Sequence, residues 1–197
     1  MIITEPELAY EISEAELVGV TGTNGKTTTT TLISLMLNHL KDKNKAYACG
    51  NIGISAVETA QKATADDILV MELSSFQLLG ITKLHPKIAV LTNIYEAHTD
   101  YHGSRENYVK AKMRLLKNQT AADHFVVNFD QAEWRELSQQ AKAKVVPFSR
   151  TAFTKEGAYE EDGILYFKDE AIMPADEIKV PGTHNIENAL AAIAVAK

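Results

Sequence analysis

Short apolar runs of strand length recur along the chain, separated by stretches of helical or loop character. The runs are Leu17-Val18-Gly19-Val20, Ala46-Tyr47-Ala48, Ile68-Leu69-Val70-Met71, Ile88-Ala89-Val90-Leu91, Phe125-Val126-Val127 and Val145-Val146. Most are continuous rather than alternating, the mark of strands buried on both faces, as in a parallel sheet. Between them the pattern predicts helices over Lys26 to Leu40, near Ser55 to Lys62, over Ser104 to Lys117 and over Gln131 to Ala141. Strand and helix alternating in this way predict an α/β fold, an open and mainly parallel sheet with helices on both faces. The segment 158–178 departs from that alternation. Tyr159 to Phe167 reads as a hairpin turning at Asp162-Gly163, a small antiparallel appendage.

The residues just after each strand are more informative than the strands themselves. The first run leads into Thr21-Gly22-Thr23-Asn24-Gly25-Lys26, the second into Gly50-Asn51, the third into Glu72 and the fourth into Thr92-Asn93 with His98 soon after. In open parallel sheets a ligand binds beyond the carboxyl ends of the strands, and small polar residues collected there are what such a site requires.

Gly22-Thr23-Asn24-Gly25-Lys26-Thr27-Thr28 lies between a buried strand and a helix, the setting of a phosphate-binding loop. Glycines let successive backbone N–H groups turn toward a phosphate, and the positive end of the following helix adds to the attraction. Lys26 can reach terminal phosphates, and Thr27 offers a hydroxyl to a phosphate-bound magnesium. The strict GxxxxGK[ST] spacing fails, because Val20 stands where its first glycine belongs. The fold expected is therefore P-loop-type, with a variant loop.

Other candidates read two ways on their residues alone. Glu72 is a metal-binding acid at a strand end or a surface glutamate. Lys112, in the basic stretch Tyr108 to Arg114, is by itself a solvated helix lysine. Asn185 and Asn188 lie three apart on one helical face, so their amides suit the edge of a base, or Asn185 caps the helix.

Charge narrows the picture. Twenty Lys and Arg against 26 Asp and Glu give −6, which argues against broad binding to nucleic acid or an anionic membrane. A phosphate ligand then needs local positive charge, which Lys26 supplies. No apolar run approaches the ~18 residues that span a bilayer, so no membrane insertion is expected. The single cysteine, Cys49, excludes an intramolecular disulfide and fits a reducing cytoplasm. An opening without a clear element and an Ala-rich final helix with no stop signal suggest a piece of a longer protein.

The motifs, taken in order, resemble those of the Mur ligase family. They are the phosphate loop TGTNGKT, Gly50-Asn51-Ile52-Gly53, Glu72-Leu73-Ser74-Ser75-Phe76-Gln77-Leu78, Thr92-Asn93-Ile94 with His98 and Asp100, Tyr108 with Lys112, and Gly182 with His184-Asn185 and Asn188. The stretch from Glu72 to Leu78 is most similar to the D-glutamate-adding branch of the family. The resemblance implies a bacterial cytoplasmic, monomeric ATP-dependent ligase of peptidoglycan synthesis. It joins D-glutamate to UDP-N-acetylmuramoyl-L-alanine through an acyl phosphate. Other Mur-type ligases, folylpolyglutamate synthase-like enzymes, a small-molecule kinase and a non-catalytic nucleotide-binding module remain as alternatives.

The family pattern also implies roles. ATP phosphates fall to Gly22, Thr23, Asn24, Gly25, Lys26, Thr27 and Thr28, and adenine to Asn185 and Asn188. Magnesium falls to Thr27, Glu72, His98 and a Lys112 carrying a carbamate. Asn51, Ser74 and His98 are implied to position substrate, and Lys26, His98 and Lys112 to be catalytic. Family enzymes have three domains, so residues 1–16 are read as a linker from an N-terminal UDP-binding domain and 17–197 as the central ATP-binding domain. The central domain is expected to bind ATP and magnesium weakly and not to complete ligation without the flanking N-terminal and C-terminal domains.

Overall fold

A computed structural model describes residues 3–40, 45–95 and 99–197. The chain runs α1 (Glu5–Ile12), β1 (Glu16–Thr21), α2 (Lys26–Leu40), β2 (Ala46–Gly50), α3 (Ala56–Lys62), β3 (Ile68–Glu72), α4 (Ser75–Leu79), β4 (Ile88–Leu91), α5 (Thr99–His102), α6 (Arg105–Met113), β5 (His124–Asn128), α7 (Ala132–Ser138), β6 (Lys144–Ser149), β7 (Ala158–Glu161), β8 (Ile164–Phe167), β9 (Glu170–Pro174) and α8 (His184–Ala196). All nine strands form one sheet in the order β2-β3-β1-β4-β5-β6-β7-β8-β9. Pairing is parallel from β2 to β7 and antiparallel from β7 to β9.

The continuous apolar runs have the expected cause. Leu17, Leu69, Met71, Ala89, Leu91, Phe125 and Val127 enter a core on one face, with residues of α1, α3, α6 and α7. Their neighbours Val18, Val20, Val70, Val90 and Val126 enter a second core under α2 and α8. Alternate side chains of a strand point to opposite faces, so burying both faces makes every position apolar.

Three elements differ from the sequence expectation. The helix expected to run to Lys117 gives way at Arg114 to a 3-10 turn through Leu116, and the Arg114 guanidinium donates to the carbonyls of Leu78 and Ile81, both at 2.8 Å. The helix expected to reach Ala141 ends at Ser138, because the N–H groups of Gln139, Gln140 and Ala141 bond to carbonyls three residues back, tightening the last turn. Residues read as linker include α1, which packs on α3 through Ala9, Ala56 and Ala60.

The hairpin turns at Asp162-Gly163, both with positive φ (51° and 76°), the geometry favoured by two-residue hairpin turns. It continues the main sheet rather than hanging from it, since β7 pairs with β6 at Phe148 and Ser149, and β9 adds a third antiparallel strand. Among the described residues no helix is long and apolar enough to cross a membrane.

Candidate nucleotide and metal site

The carboxyl ends of β2, β3, β1 and β4 lie level: Gly50 and Val20 both pair with Glu72, and Thr21 pairs with Leu91. β1 sits between β3 and β4, with the loop of residues 22–25 leaving its end and opening α2. At Gly25 φ is 79°, and a Cβ would lie 2.2 Å from Asn188 Oδ1; at Gly22 it would lie 1.9 Å from Thr92 Oγ1. Any larger residue would push the loop off its neighbours. The loop is stapled to the end of β4. Thr23 N donates to Asn93 O (2.9 Å), Asn24 N to Asn93 Oδ1 (2.9 Å), and Thr92 Oγ1 and Asn93 Nδ2 donate to Asn24 O at 2.8 and 3.1 Å. Lys26 curls back so that Nζ donates to Thr23 O at 3.0 Å. Burial lowers its pKa, opposed by the charge of Glu72. The first N–H groups of α2 have no acceptor within the helix and give this end a partial positive charge.

Glu72 is buried and bridges a hydroxyl of α2 and an amide of the loop after β2. Its Oε2 accepts from Thr27 Oγ1 at 2.7 Å and its Oε1 from Asn51 Nδ2 at 3.1 Å. Lys112, on α6, is not a solvated helix lysine. It is 2% exposed, and its Nζ donates to Gly22 O at 2.7 Å beneath the loop and lies 4.7 Å from the centre of the Tyr108 ring. Burial pushes its pKa down to about 7, helped by the charge of Lys26 and opposed by Glu72. Tyr108 OH shares a hydrogen bond of 3.2 Å with Thr23 Oγ1, tying α6 to the loop a second time.

On the other side of the loop, Asn24, Gly25, Thr28, Asn93, Tyr95, His184, Glu187 and Asn188 line a cavity of about 490 Å³. It joins the loop to the start of α8.

A family description reading Mur ligase middle domain matches residues 20–196. The chain belongs to the Mur ligase family. It is 69% identical over 196 residues to the UDP-N-acetylmuramoylalanine–D-glutamate ligase of Ligilactobacillus salivarius, covering all of this chain and 43% of that protein. Among solved structures it resembles a UDP-N-acetylmuramoyl-L-alanyl-D-glutamate–2,6-diaminopimelate ligase (TM-score 0.72, 24% identity, 92% of this chain and 43% of that one). It also resembles the MurF ligase of Thermotoga maritima in complex with ADP (TM-score 0.65, 22% identity, 94% of this chain and 47% of that one). The chain thus spans less than half the length of these relatives.

In this Mur ligase domain the residues marked by sequence fall into three groups. Gly22, Thr23, Asn24, Gly25, Lys26, Thr27, Thr28, Asn51, Glu72 and Lys112 converge on the loop or its floor. Ser74 and Asn185 lie beside the site with their side chains bonded internally. Ser74 caps α4: its Oγ accepts from Gln77 N at 3.3 Å and donates to Gln77 Oε1 at 3.0 Å. Asn185 Nδ2 donates to Pro181 O at 2.7 Å and its Oδ1 accepts from Asn188 Nδ2 at 2.9 Å, while Asn188 Oδ1 accepts from Thr29 Oγ1 at 3.2 Å. Of the two, Asn188 reaches the cavity wall. His98 lies outside the described residues. Sequence reasoning assigned no role to Asn93, which fixes the loop; its signal was a polar pair, Thr92-Asn93, ending the strand beside β1. Nor did it single out Glu187, which had no signal beyond its neighbours.

Proposed function

We propose that this chain is the ATP- and magnesium-binding domain of a ligase that adds D-glutamate to UDP-N-acetylmuramoyl-L-alanine. The observation that carries the reading is the convergence of Lys26, Thr27, Glu72 and Lys112 around one strand-to-helix loop, in a chain 69% identical to a ligase of that name.

The residues suit magnesium. Among the described residues no three His, Cys, Asp or Glu side chains cluster, but magnesium bound with nucleotide needs only one or two carboxylates, water and phosphate oxygens completing its shell. Thr27 and Glu72, 2.7 Å apart, supply a hydroxyl and a carboxylate, and His98 is the further ligand that the family pattern adds. Magnesium there would neutralise phosphate charge and hold its oxygens in line. Lys112 suits a carbamate, because a pKa near 7 leaves a large neutral fraction at neutral pH and the neutral amine is the form that attacks carbon dioxide.

A carboxylate does not form an amide unaided, because oxide is a poor leaving group. In the proposed reaction the γ-phosphate moves from ATP to the carboxylate of UDP-N-acetylmuramoyl-L-alanine, releasing ADP. The amino group of D-glutamate then attacks the acyl carbon and inorganic phosphate leaves. Lys26 sits at the loop to hold the transferring phosphoryl group. Asn188 and the cavity beside it take the adenosine. Asn51 and Ser74 lie on the side assigned to the acceptor carboxylate, Ser74 reaching it only if its hydroxyl leaves Gln77, and His98 is assigned the same role by the family pattern. We assign the UDP end and the amino-acid site to domains beyond residues 17–197, in a cytoplasmic monomer.

The test compares ADP formation by the 197-residue chain and by the full-length protein, each with UDP-N-acetylmuramoyl-L-alanine and D-glutamate. The full-length protein is expected to form ADP and incorporate D-glutamate, and the shorter chain to bind nucleotide without turnover. Absence of ligation by the full-length protein would overturn the proposal, and incorporation of a different amino acid would overturn the assignment to D-glutamate.

A further inference from the structure

α1 precedes the matched segment 20–196, yet it is bonded to the start of α3, the helix that follows the loop carrying Asn51. One carboxylate oxygen of Glu5 accepts from Ser55 Oγ at 2.8 Å, Ala56 N at 2.8 Å and Val57 N at 3.3 Å, gripping the first turn of α3. α3 is a short helix that packs mainly on α1, through small residues that let the two approach closely. Its position therefore depends on α1 more than on the sheet.

Between β2 and α3 runs the segment 50–55, which carries Asn51. Gly50 N donates to Ile54 O at 2.8 Å, closing it into a tight loop, and Asn51 N donates to Glu72 O at 3.0 Å. Asn51, Gly53, Ile54 and Ser55 are exposed, so packing does little to hold the loop. Its fixed points are the strand at one end and the Glu5-held turn at the other. From this loop the Asn51 amide reaches Glu72 Oε1, whose second oxygen takes the Thr27 hydroxyl.

We propose that Glu5 is a positioning residue for the Glu72 carboxylate: by holding the first turn of α3 it fixes the 50–55 loop, and so sets the Asn51 amide that orients Glu72 toward Thr27. The chain of contacts is Glu5, Ser55 to Val57, Asn51, Glu72. Its consequence for magnesium rests on the functional reading above; its consequence for Asn51 does not.

Two readouts separate these. The first is the side-chain amide resonance of Asn51 and its solvent exchange, measured by NMR on the 197-residue chain. The second is the magnesium concentration that half-saturates binding of a fluorescent ATP analogue, compared with binding of the analogue in EDTA. Glu5→Ala is expected to move the Asn51 resonance toward that of a free amide and to raise the magnesium half-saturation about fivefold, the scale of one lost hydrogen bond, with binding in EDTA unchanged. Glu5→Gln keeps an acceptor oxygen and is expected to restore most of both readouts. Glu11→Ala, on the same helix as Glu5, removes an ion pair with Lys83 of the segment before β4 and is expected to change neither. Ser55→Ala removes one of the three donors and gives a smaller shift of the same sign, keeping the test open if Glu5→Ala does not fold.

A lowered melting temperature with the Asn51 resonance unmoved in Glu5→Ala and Ser55→Ala would overturn the proposal, leaving Glu5 a structural residue. If the unmutated chain shows no magnesium-dependent nucleotide binding, the functional reading fails, while the Asn51 resonance still decides the role of Glu5.

Discussion

Lys112 makes the stability of the unmodified domain rise with pH above neutrality, the same direction as acid denaturation but in a window several pH units higher. In the unfolded chain its amine titrates near 10.5; in the fold, burial first and Lys26 second hold it to about 7, against the pull of Glu72. Between these values the unfolded state binds the proton and the folded state does not, so stability rises with pH across this window. Below pH 7 both states are protonated and the full penalty for a buried cation is present. Integrating the proton difference from pH 7 to pH 9 gives about 2 kcal/mol of added stability, at 1.36 kcal/mol per pH unit less the part already titrated at pH 7. The side chain is 2% exposed, so solvent screening takes little from that figure.

The assay is urea unfolding of the chain in CO2-free buffer at pH 7 and pH 9, beside Lys112→Met, which keeps the length and apolar stem without the amine. The unmutated chain is expected to gain about 2 kcal/mol more than the variant over this interval. Lys26, whose pKa is also lowered, adds to the slope of both proteins, so the difference reports the Lys112 amine together with its coupling to Lys26. Equal slopes would refute the reasoning: Lys112 would then keep its proton in the fold, and burial would not lower its pKa.

Three further outcomes are expected. Glu7 is wholly buried; burial raises its pKa, but bonds from Thr82, Lys83 N and Leu84 N outweigh this and hold it below the ordinary value. Its contribution is present at neutral pH and lost as pH falls through the folded value, and Glu7→Ala, which orphans two backbone donors, should cost about 2–4 kcal/mol in urea unfolding. Asn185→Ala is expected to lower stability by about 1–2 kcal/mol through its lost internal bonds while leaving ATP-analogue affinity nearly unchanged, whereas Asn188→Ala should weaken that affinity in the same titration; equal effects on binding would contradict the inward placement of Asn185. Bicarbonate labelled with carbon-13 should give a carbamate signal that Lys112→Arg abolishes, and saturating magnesium should raise the carbamate formation constant, titrated with bicarbonate, by the same factor by which full carbamylation raises magnesium affinity, as linkage requires.

The legible parts of the fold were those in which one local rule decided the outcome. β1 to β6 stood out because burial on both faces leaves unbroken apolar runs. The first hairpin stood out because Asp162-Gly163 suits two positive φ values. The second did not: its turn, Lys168-Asp169, puts a lysine at φ 52°, a residue that gives no turn signal, and β9 is an edge strand ending in Pro174. α1 was missed because polar bonds from Glu5 and Glu7 to residues 50 and more positions away hold it, and no periodicity records such bonds. In the site, the loop and Glu72 were visible from their places after strands. The burial of Lys112 was not, since its helix carries lysines at 110 and 112 and only the fold turns the second beneath Gly22. Asn185 shows the reverse limit: helical spacing put it beside Asn188, but spacing cannot say whether an amide faces a cavity or bonds to its neighbour.

The charges at the floor of the site bear on why a lysine stands where a carboxylate could bind metal directly. With an unmodified amine, protonated Lys112 and Lys26 face one carboxylate, Glu72, a surplus of one positive charge beneath a loop built for phosphate. With a carbamate the surplus becomes one negative charge, and the repulsion between Lys112 and Lys26 turns into attraction. The carbamate and Glu72 would then repel each other in a poorly solvated place, unless a divalent cation lay between them. A fixed aspartate at that position would carry this repulsion at all times, including during folding, when no metal is bound. A lysine with a pKa near 7 can fold as a neutral amine and acquire the negative charge afterwards. On the proposed reading, carbamylation and magnesium binding would stabilise each other, and the lowered pKa of Lys112 would let the domain fold as the neutral amine first.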